Sequence, residues 1–287
     1  MTKTHAAVPP STAPPSAVST TAVSIGVAGS LGPERIARIA RSVQNAGFHA
    51  LWVNDTPDGD AIAALGAAAR ATDGLALATG VVPLDRRPPA DVLRALTLAG
   101  VPDERLTLGV GSGAARTRQL ALVRDGVARL REGRSARIVV GALGPRMRRL
   151  GARDADGVLL TWLTPGAAVE QRDDAHTENP AARACLYVRT ALDHAGRERM
   201  LREADRYAGY PNYAANFARL GFDAGDAVLP PPGGEPDPAG VTPTLSAYLA
   251  AADEVVLRAV VDDDPAAYER FVADAATAVE TARRAAS

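Results

Sequence analysis

The residues best suited to chemistry follow the predicted strands directly. Asn54, Asp55 and Thr56 lie at the end of the apolar run HALWVND (49–55), and Thr161 and Trp162 end the run DGVLLTW. A carboxylate or hydroxyl in such a position could move a proton to or from a bound substrate. Asp55 could equally cap the helix that follows it or form an ion pair. We predict Asp55 and Thr56 as catalytic residues, with Asn54 and Trp162 among the cofactor contacts.

Two glycine loops are the second feature that could bind a ligand. GVGSG (109–113) contains Gly111, Ser112 and Gly113, and GALGPRM (141–147) begins with Gly141, Ala142, Leu143, Gly144, Pro145 and Arg146. Free backbone amides in such loops, or at a helix N-terminus, can hold an anion or approach a flat ring closely. Arg146 would add positive charge. Their spacing alone is equally compatible with plain tight turns.

Motifs for other kinds of catalysis are absent from the sequence. It has no HExxH, GxSxG or P-loop pattern, and Cys185 is its single cysteine. We therefore predict neither a metal site nor a serine-type nucleophile. His49 lies at the start of a predicted strand and is expected to be structural. His194 lies in a loop that follows a strand, where a functional role is open. With so few acid–base groups, a cofactor is expected to carry the reaction.

The elements that must position these residues alternate regularly. From Ala22 onward, short apolar runs precede longer stretches with helical period, in about eight units. Continuous apolar strands indicate burial on both faces, as in a parallel sheet covered by helices. This pattern predicts an α/β fold, a single (β/α)8 TIM barrel over residues 22–287, with an open doubly wound sheet as the alternative. We expect a disordered tail over 1–21, a polar helix or loop over 166–179, a loop insertion over 223–243 and a short extra helix over 245–252.

Composition excludes several classes of partner. The formal net charge is -1 and no basic patch stands out, so nucleic acid is not an expected partner. No apolar run approaches the roughly 20 residues of a membrane span, and residues 1–20 lack the apolar region of a signal peptide. A single cysteine fits a reducing cytoplasm. Lys3 is the sole lysine among many arginines and alanines, which is typical of a GC-rich, actinobacterium-like genome.

Five segments taken together resemble a known family. They are GFHALWVND (47–55), LALATGVVP (75–83), ERLTLGVGSG (104–113), GALGPRMRRLGARDADGVLLTWLTP (141–165) and DEVVLRAVVDD (253–263). Their order and spacing are similar to the luciferase-like monooxygenase superfamily of flavin- and deazaflavin-dependent oxidoreductases. The resemblance implies a barrel that binds its cofactor at the C-terminal ends of the strands. It further implies that Asp55 lies beside the cofactor ring, that Gly80–Val81 is a non-prolyl cis peptide behind that ring, and that the loop around Gly144 holds the cofactor phosphate.

The resemblance also implies a reaction. The first hypothesis is hydride transfer between coenzyme F420, a deazaflavin, and a small organic substrate. The first alternative is a monooxygenase that uses FMN. The second is a non-catalytic barrel that binds a cofactor or a partner, because Thr56 stands where many deazaflavin-dependent relatives have histidine. Relatives are often dimers, and the sequence leaves a homodimer open.

Overall fold

The computed structural model describes residues 21–286, so the predicted disordered tail lies outside the described residues except for Thr21. The strands are β1 Ala22–Ala28, β2 Ala50–Asn54, β3 Ala76–Thr79, β4 Val82–Pro83, β5 Leu106–Gly111, β6 Arg137–Gly141, β7 Gly157–Thr161, β8 Arg183–Thr190, β9 Val228–Leu229 and β10 Glu254–Ala259. The helices are α1 Gly32–Asn45, α2 Ala61–Ala71, α3 Pro89–Ala99, α4 Gln119–Gly133, α5 Pro145–Asp154, α6 Pro165–Glu178, α7 His194–Ala208, α8 Pro211–Leu220, α9 Pro238–Ala251 and α10 Pro265–Ala286. Short 3-10 turns cover 29–31, 103–105 and 224–227.

The longer strands close into a barrel. They follow the order β1, β2, β3, β5, β6, β7, β8 and β10, and β10 pairs with both β8 and β1. Every pairing is parallel. The predicted TIM barrel is confirmed, and the open-sheet alternative is wrong because β10 and β1 are hydrogen-bonded neighbours.

Alternate strand residues point to opposite sides of the barrel wall, as the period of a strand requires. One set packs outward under the helices and belongs to the large core. The other set fills the barrel interior with Ala50, Trp52, Ala78, Val139, Leu159, Cys185, Tyr187 and Val256. The interior is therefore a packed core, and space for a ligand remains only beyond its layers.

The region from 223 to 251 corrects the sequence interpretation. The segment predicted as a loop insertion over 223–243 contains a 3-10 turn, the strand β9 and the first residues of α9. Helix α9 begins at Pro238, seven residues before the helix predicted at 245. Asp237 caps it by accepting a hydrogen bond from Gly240 N at 2.7 Å, and proline suits the first helical turn. The proline-rich segment 223–243 therefore contains the start of a helix as well as a loop. The segment 166–179, left open between helix and loop, lies in α6 (Pro165–Glu178) apart from its last residue, Asn179.

Two features are not found within the described part of the chain. None of its helices is long and apolar enough to cross a bilayer. No group of three or more histidine, cysteine, aspartate or glutamate side chains there could hold a metal ion.

Candidate active site

A large cavity opens where the barrel strands end at their C-termini. It has a volume of about 930 Å³, at the upper end of the range of roughly 300–1,000 Å³ found for small-molecule sites. Of the residues predicted to form the site, the cavity lining includes Asn54, Asp55, Thr56, Gly80, Val81, Gly111, Ser112, Gly113, Gly141, Ala142, Leu143 and Gly144. The sequence therefore identified much of this wall, because parallel strands bring their C-terminal ends together.

Glycines surround the Val81 side chain on this wall. The Gly80–Val81 peptide is cis, as the family resemblance implied. A Cβ atom at Gly111 would lie 3.0 Å from Val81 Cγ2, and one at Gly141 would lie 3.0 Å from Val81 Cγ1. Two of the predicted ligand-binding glycines thus make room for Val81. The result is a smooth floor of small residues.

The loop after β5 is already occupied by a side chain of the protein. Gly113 has φ 59°, and Ala114 N donates a hydrogen bond to Asp85 Oδ2 at 2.8 Å. A Cβ at Gly113 would collide with the same carboxylate. An anion at GVGSG was one of the possibilities that the sequence left open, and the Asp85 carboxylate occupies that position. Asp85 and this loop both border the cavity.

The start of α5 is a different case, because its N-cap residue, Gly144, has no side chain. Pro145 has no N–H and Met147 N donates to Gly144 O at 3.2 Å, so Arg146 N is the first-turn amide without a hydrogen-bond partner within residues 21–286. A helix start carries partial positive charge. Arg219 of α8 reaches the same loop, with Nη2 3.5 Å from Leu143 O and 2.6 Å from Asn216 Oδ1. Gly144 and Arg219 border the cavity, whereas Arg146 lies outside its lining.

Asp55 is held in a structural network. Its side chain is 1% exposed and accepts from Arg86 Nη2 at 2.7 Å and Arg87 Nη1 at 3.1 Å. Ala61 N also donates to Asp55 Oδ1 at 3.1 Å, at the start of α2. Both carboxylate oxygens are engaged, so the geometry favours the capping and ion-pair interpretation over proton transfer. The neighbouring Thr56 Oγ1 is buried with no hydrogen-bond partner in the described region, so its hydrogen-bonding capacity is unused.

Asn54 links the floor to the opposite wall. Its amide donates to Gly80 O, and its Oδ1 accepts from Tyr187 Oη at 2.6 Å. Burial raises the pKa of Tyr187 well above its ordinary value, so the phenol keeps its proton. Tyr187 is thus a neutral hydrogen-bonding group at the bottom of the cavity, and sequence reasoning missed it.

The wall formed by β8, β10 and α7 carries charge that sequence reasoning also missed. Arg189 Nε donates to Glu203 Oε1 at 3.0 Å, and Arg258 Nη1 lies 3.9 Å from Glu203 Oε2. Burial alone would raise the pKa of Glu203, but Arg258 and Arg189 hold it below its ordinary value. A signal was present in the sequence, because Arg258 is the only charge in the run VVLRAVV, and a buried charge is informative.

Three predicted contacts do not line the cavity. Trp162 is fully buried, and its φ of 55° accompanies a ring that packs against Tyr207 and Phe217 behind the wall. Pro145 and Arg146 are exposed on the first turn of α5 and lie outside the lining. Trp162 instead supports Arg189, whose Cζ lies 3.8 Å from the ring centroid. His194 begins α7 and also lies outside the lining.

Comparison with known proteins agrees with the family resemblance. A family model described as luciferase-like monooxygenase matches residues 15–133, from before β1 into α4. The predicted resemblance is therefore confirmed over that part of the chain. A search of curated proteins finds no match.

Solved structures share the fold across nearly the whole chain. An F420-dependent secondary alcohol dehydrogenase in complex with an F420–acetone adduct has a TM-score of 0.69 at 14% identity, covering 90% of this chain and 99% of its own. The F420-dependent tetrahydromethanopterin reductase of Methanopyrus kandleri has a TM-score of 0.67 at 16% identity, covering 88% and 98%. The oxygenating constituent of a diketocamphane monooxygenase from Pseudomonas putida, in complex with FMN, has a TM-score of 0.64 at 14% identity, covering 90% and 98%. At these identities the likeness concerns the fold.

Proposed function

We propose that this protein is a luciferase-like oxidoreductase that binds coenzyme F420 in the barrel-mouth cavity and acts on a small organic substrate. The observation that carries the proposal is a cavity of about 930 Å³ with a small-residue floor, bordered by Gly144 at the start of α5 and by Arg219. The Arg219 guanidinium beside the positive end of a helix fits a phosphate, and the floor of Gly80, Val81, Gly111 and Gly141 fits a flat ring.

When bound, a reduced deazaflavin supplies a hydride to an acceptor held against its ring. The chain's own residues bind and orient. Arg219 and the positive end of α5 would hold the phosphate, and the glycine floor lets a ring approach the backbone closely. Asn54 fixes the Gly80 carbonyl and the Tyr187 hydroxyl. Thr56 Oγ1, which has no partner within the described residues, would donate a hydrogen bond there. The Tyr187 hydroxyl, whose hydrogen goes to Asn54 Oδ1, would accept one, and Asp55 keeps Arg86 and Arg87 in position.

A monooxygenase that uses FMN is the second candidate, because the matching family model is that of monooxygenases and one structural neighbour holds FMN. Titrating the purified chain with oxidised F420 and with FMN, and following quenching of cofactor fluorescence, separates the two. Tighter binding of F420 supports the proposal, and tighter binding of FMN supports the second candidate. Binding of neither supports the non-catalytic barrel.

The phosphate role of α5 is tested by Gly144→Asp. A Cβ at Gly144 meets nothing within 4 Å, so the fold is expected to survive. The new carboxylate would occupy the first-turn amides and repel a phosphate, and we expect cofactor affinity to fall by at least about tenfold. Gly166→Asp is the matched control, since Gly166 also has open space at the first turn of α6 and lies outside the cavity lining. Unchanged affinity in Gly144→Asp would remove this role.

A further inference from the structure

Two arginines stand side by side at the cavity wall. Arg189 on β8 and Arg258 on β10 are paired positions in the parallel ladder, and neighbouring strands lie about 4.8 Å apart. Both side chains line the cavity. Two like charges at this spacing repel each other unless an anion lies between them.

The protein supplies one carboxylate to this pair. Glu203 accepts from Arg189 at 3.0 Å, whereas its contact with Arg258 is 3.9 Å, too long for a hydrogen bond. Asp55 and Asp85, the other carboxylates of the cavity lining, are engaged by Arg86, Arg87 and the Ala114 amide. With Arg206 of α7, which also lines the cavity, this wall has three guanidinium groups and one carboxylate, so its net charge is positive.

Arg189 is held rigidly in place. Its Nη1 donates to Thr161 Oγ1 at 2.8 Å, and its Cζ lies 3.8 Å from the Trp162 ring centroid and 4.8 Å from that of Tyr207. A guanidinium fixed in this way binds an anion with little further loss of side-chain entropy. Arg258 is fixed on one side only, where Nη1 donates to Ala259 O at 2.7 Å. Its guanidinium makes no other hydrogen bond within residues 21–286, so its remaining donors can bind a ligand.

Aromatic rings continue the same wall. Tyr207 and Tyr213 both line the cavity, with ring centroids 4.8 Å apart in an edge-to-face arrangement. Burial raises the pKa of Tyr213 to about 12, so its phenol stays neutral and adds no competing negative charge. Flat apolar surfaces next to a cationic pair suit a planar organic acid.

We propose that Arg189 and Arg258 bind the carboxylate of a planar, carboxylate-bearing substrate. This assignment of substrate class rests on the proposed function, because it places the substrate in the same cavity as the cofactor. An anion is favoured because the wall has a net positive charge, and the forked guanidinium geometry matches a carboxylate. The phosphate of the cofactor is assigned to the start of α5 and Arg219.

Benzoate is the probe for this site, with benzyl alcohol as a neutral analogue and inorganic phosphate as a second anion. Calorimetric titration of the full chain, without and with saturating cofactor, measures each affinity. We expect benzoate to bind and benzyl alcohol to bind at least about tenfold more weakly, as loss of a charge-assisted hydrogen bond implies. Phosphate bound more tightly than benzoate, or equal binding of benzoate and benzyl alcohol, would overturn the assignment.

Two matched variants separate this proposal from the proposed function. Arg258→Gln should weaken benzoate binding by roughly 10- to 100-fold and leave cofactor affinity within about threefold. Arg219→Gln should do the reverse, since Arg219 lies beside Leu143 at the start of α5. If Arg258→Gln leaves benzoate affinity unchanged, the carboxylate site is wrong while the cofactor site stands. If no cofactor binds the wild type, the proposed function fails, whatever the variants do to benzoate binding.

Glu203→Gln gives an independent test in the opposite direction. The glutamine oxygen can still accept from Arg189, but the internal negative charge is gone. We expect benzoate to bind several-fold more tightly, because it no longer competes with Glu203. A thermal melt confirms folding of each variant. Weaker benzoate binding in folded Glu203→Gln would contradict the proposal.

Discussion

Buried charged side chains are paired differently at the two ends of the barrel. Near the N-terminal ends of the strands, Glu254 is 3% exposed and has a full set of partners. It accepts from Ser24 Oγ at 2.6 Å and Trp52 Nε1 at 2.7 Å, and it pairs with Arg183 at 3.1 Å. Near the C-terminal ends, Arg189 and Arg258 share Glu203 and face an open cavity.

This difference distinguishes charged groups whose hydrogen bonds are all made within the protein from charged groups that keep donors for a ligand. A buried ion that is fully hydrogen-bonded holds its neighbours in one arrangement and has no capacity left for a ligand. A pair of arginines with a single carboxylate keeps unused donors at the edge of a space that a substrate can enter. The same logic reassigns Asp55, which lies at the catalytic end but is bonded as completely as Glu254.

The largest expected effect is on stability at the N-terminal end of the barrel. Glu254→Ala leaves Trp52 Nε1 and Arg183 without their acceptor, and we expect the free energy of unfolding to fall by about 3–5 kcal/mol. Glu203→Ala is the matched variant at the C-terminal end, where Arg189 keeps its bond to Thr161 Oγ1 and Arg258 keeps its bond to Ala259 O. Its expected cost is about 1–3 kcal/mol. Urea denaturation followed by circular dichroism compares them, and equal losses would contradict the distinction between the two ends.

Asp55→Asn tests whether a carboxylate at the catalytic end is structural. The variant weakens the bonds to Arg86 and Arg87, and we expect a loss of about 1–3 kcal/mol in unfolding free energy. Cofactor affinity should change by less than about threefold. Asp60→Asn is the control, since Asp60 also pairs with Arg87 and caps α2 but is 51% exposed, and it should cost about 1 kcal/mol or less. If Asp55→Asn keeps full stability but abolishes turnover, Asp55 is catalytic after all.

The smallest effect concerns Cys185, which packs inside the barrel with Sγ 3.7 Å from Glu254 Oε2. Burial, and then the charge of Glu254, raises the pKa of its thiol well above the ordinary value, so almost no thiolate forms near pH 8. We expect no reaction of the native protein with a thiol reagent over a period in which the denatured protein reacts fully. Because it is the sole cysteine, the readout is unambiguous. Rapid labelling of the native protein would show that the barrel interior around Cys185 opens readily.

The sequence predicted those cavity residues whose location is set by the course of the backbone. Strand ends, glycine loops and the start of α5 follow from local patterns, and parallel closure brings strand ends together whatever their side chains. For this reason Asn54, Gly80, Gly111 and Gly144 were found at the cavity. The helix at Pro238 was missed because proline is compatible with both loops and first helical turns.

By itself, the sequence determined the barrel, its parallel order and the end at which the cavity of about 930 Å³ lies, because hydrophobic period and strand–helix alternation are local properties of the chain. Only the tertiary structure decided which side chains share the cavity. Arg189, Glu203 and Arg258 come from β8, α7 and β10, and nothing in their spacing shows that they meet. Long-range contacts also decided that the Asp85 carboxylate binds the glycine loop and that Trp162 is buried behind the cavity wall. Such contacts depend on closure of the whole ring, which brings together groups that lie far apart along the chain.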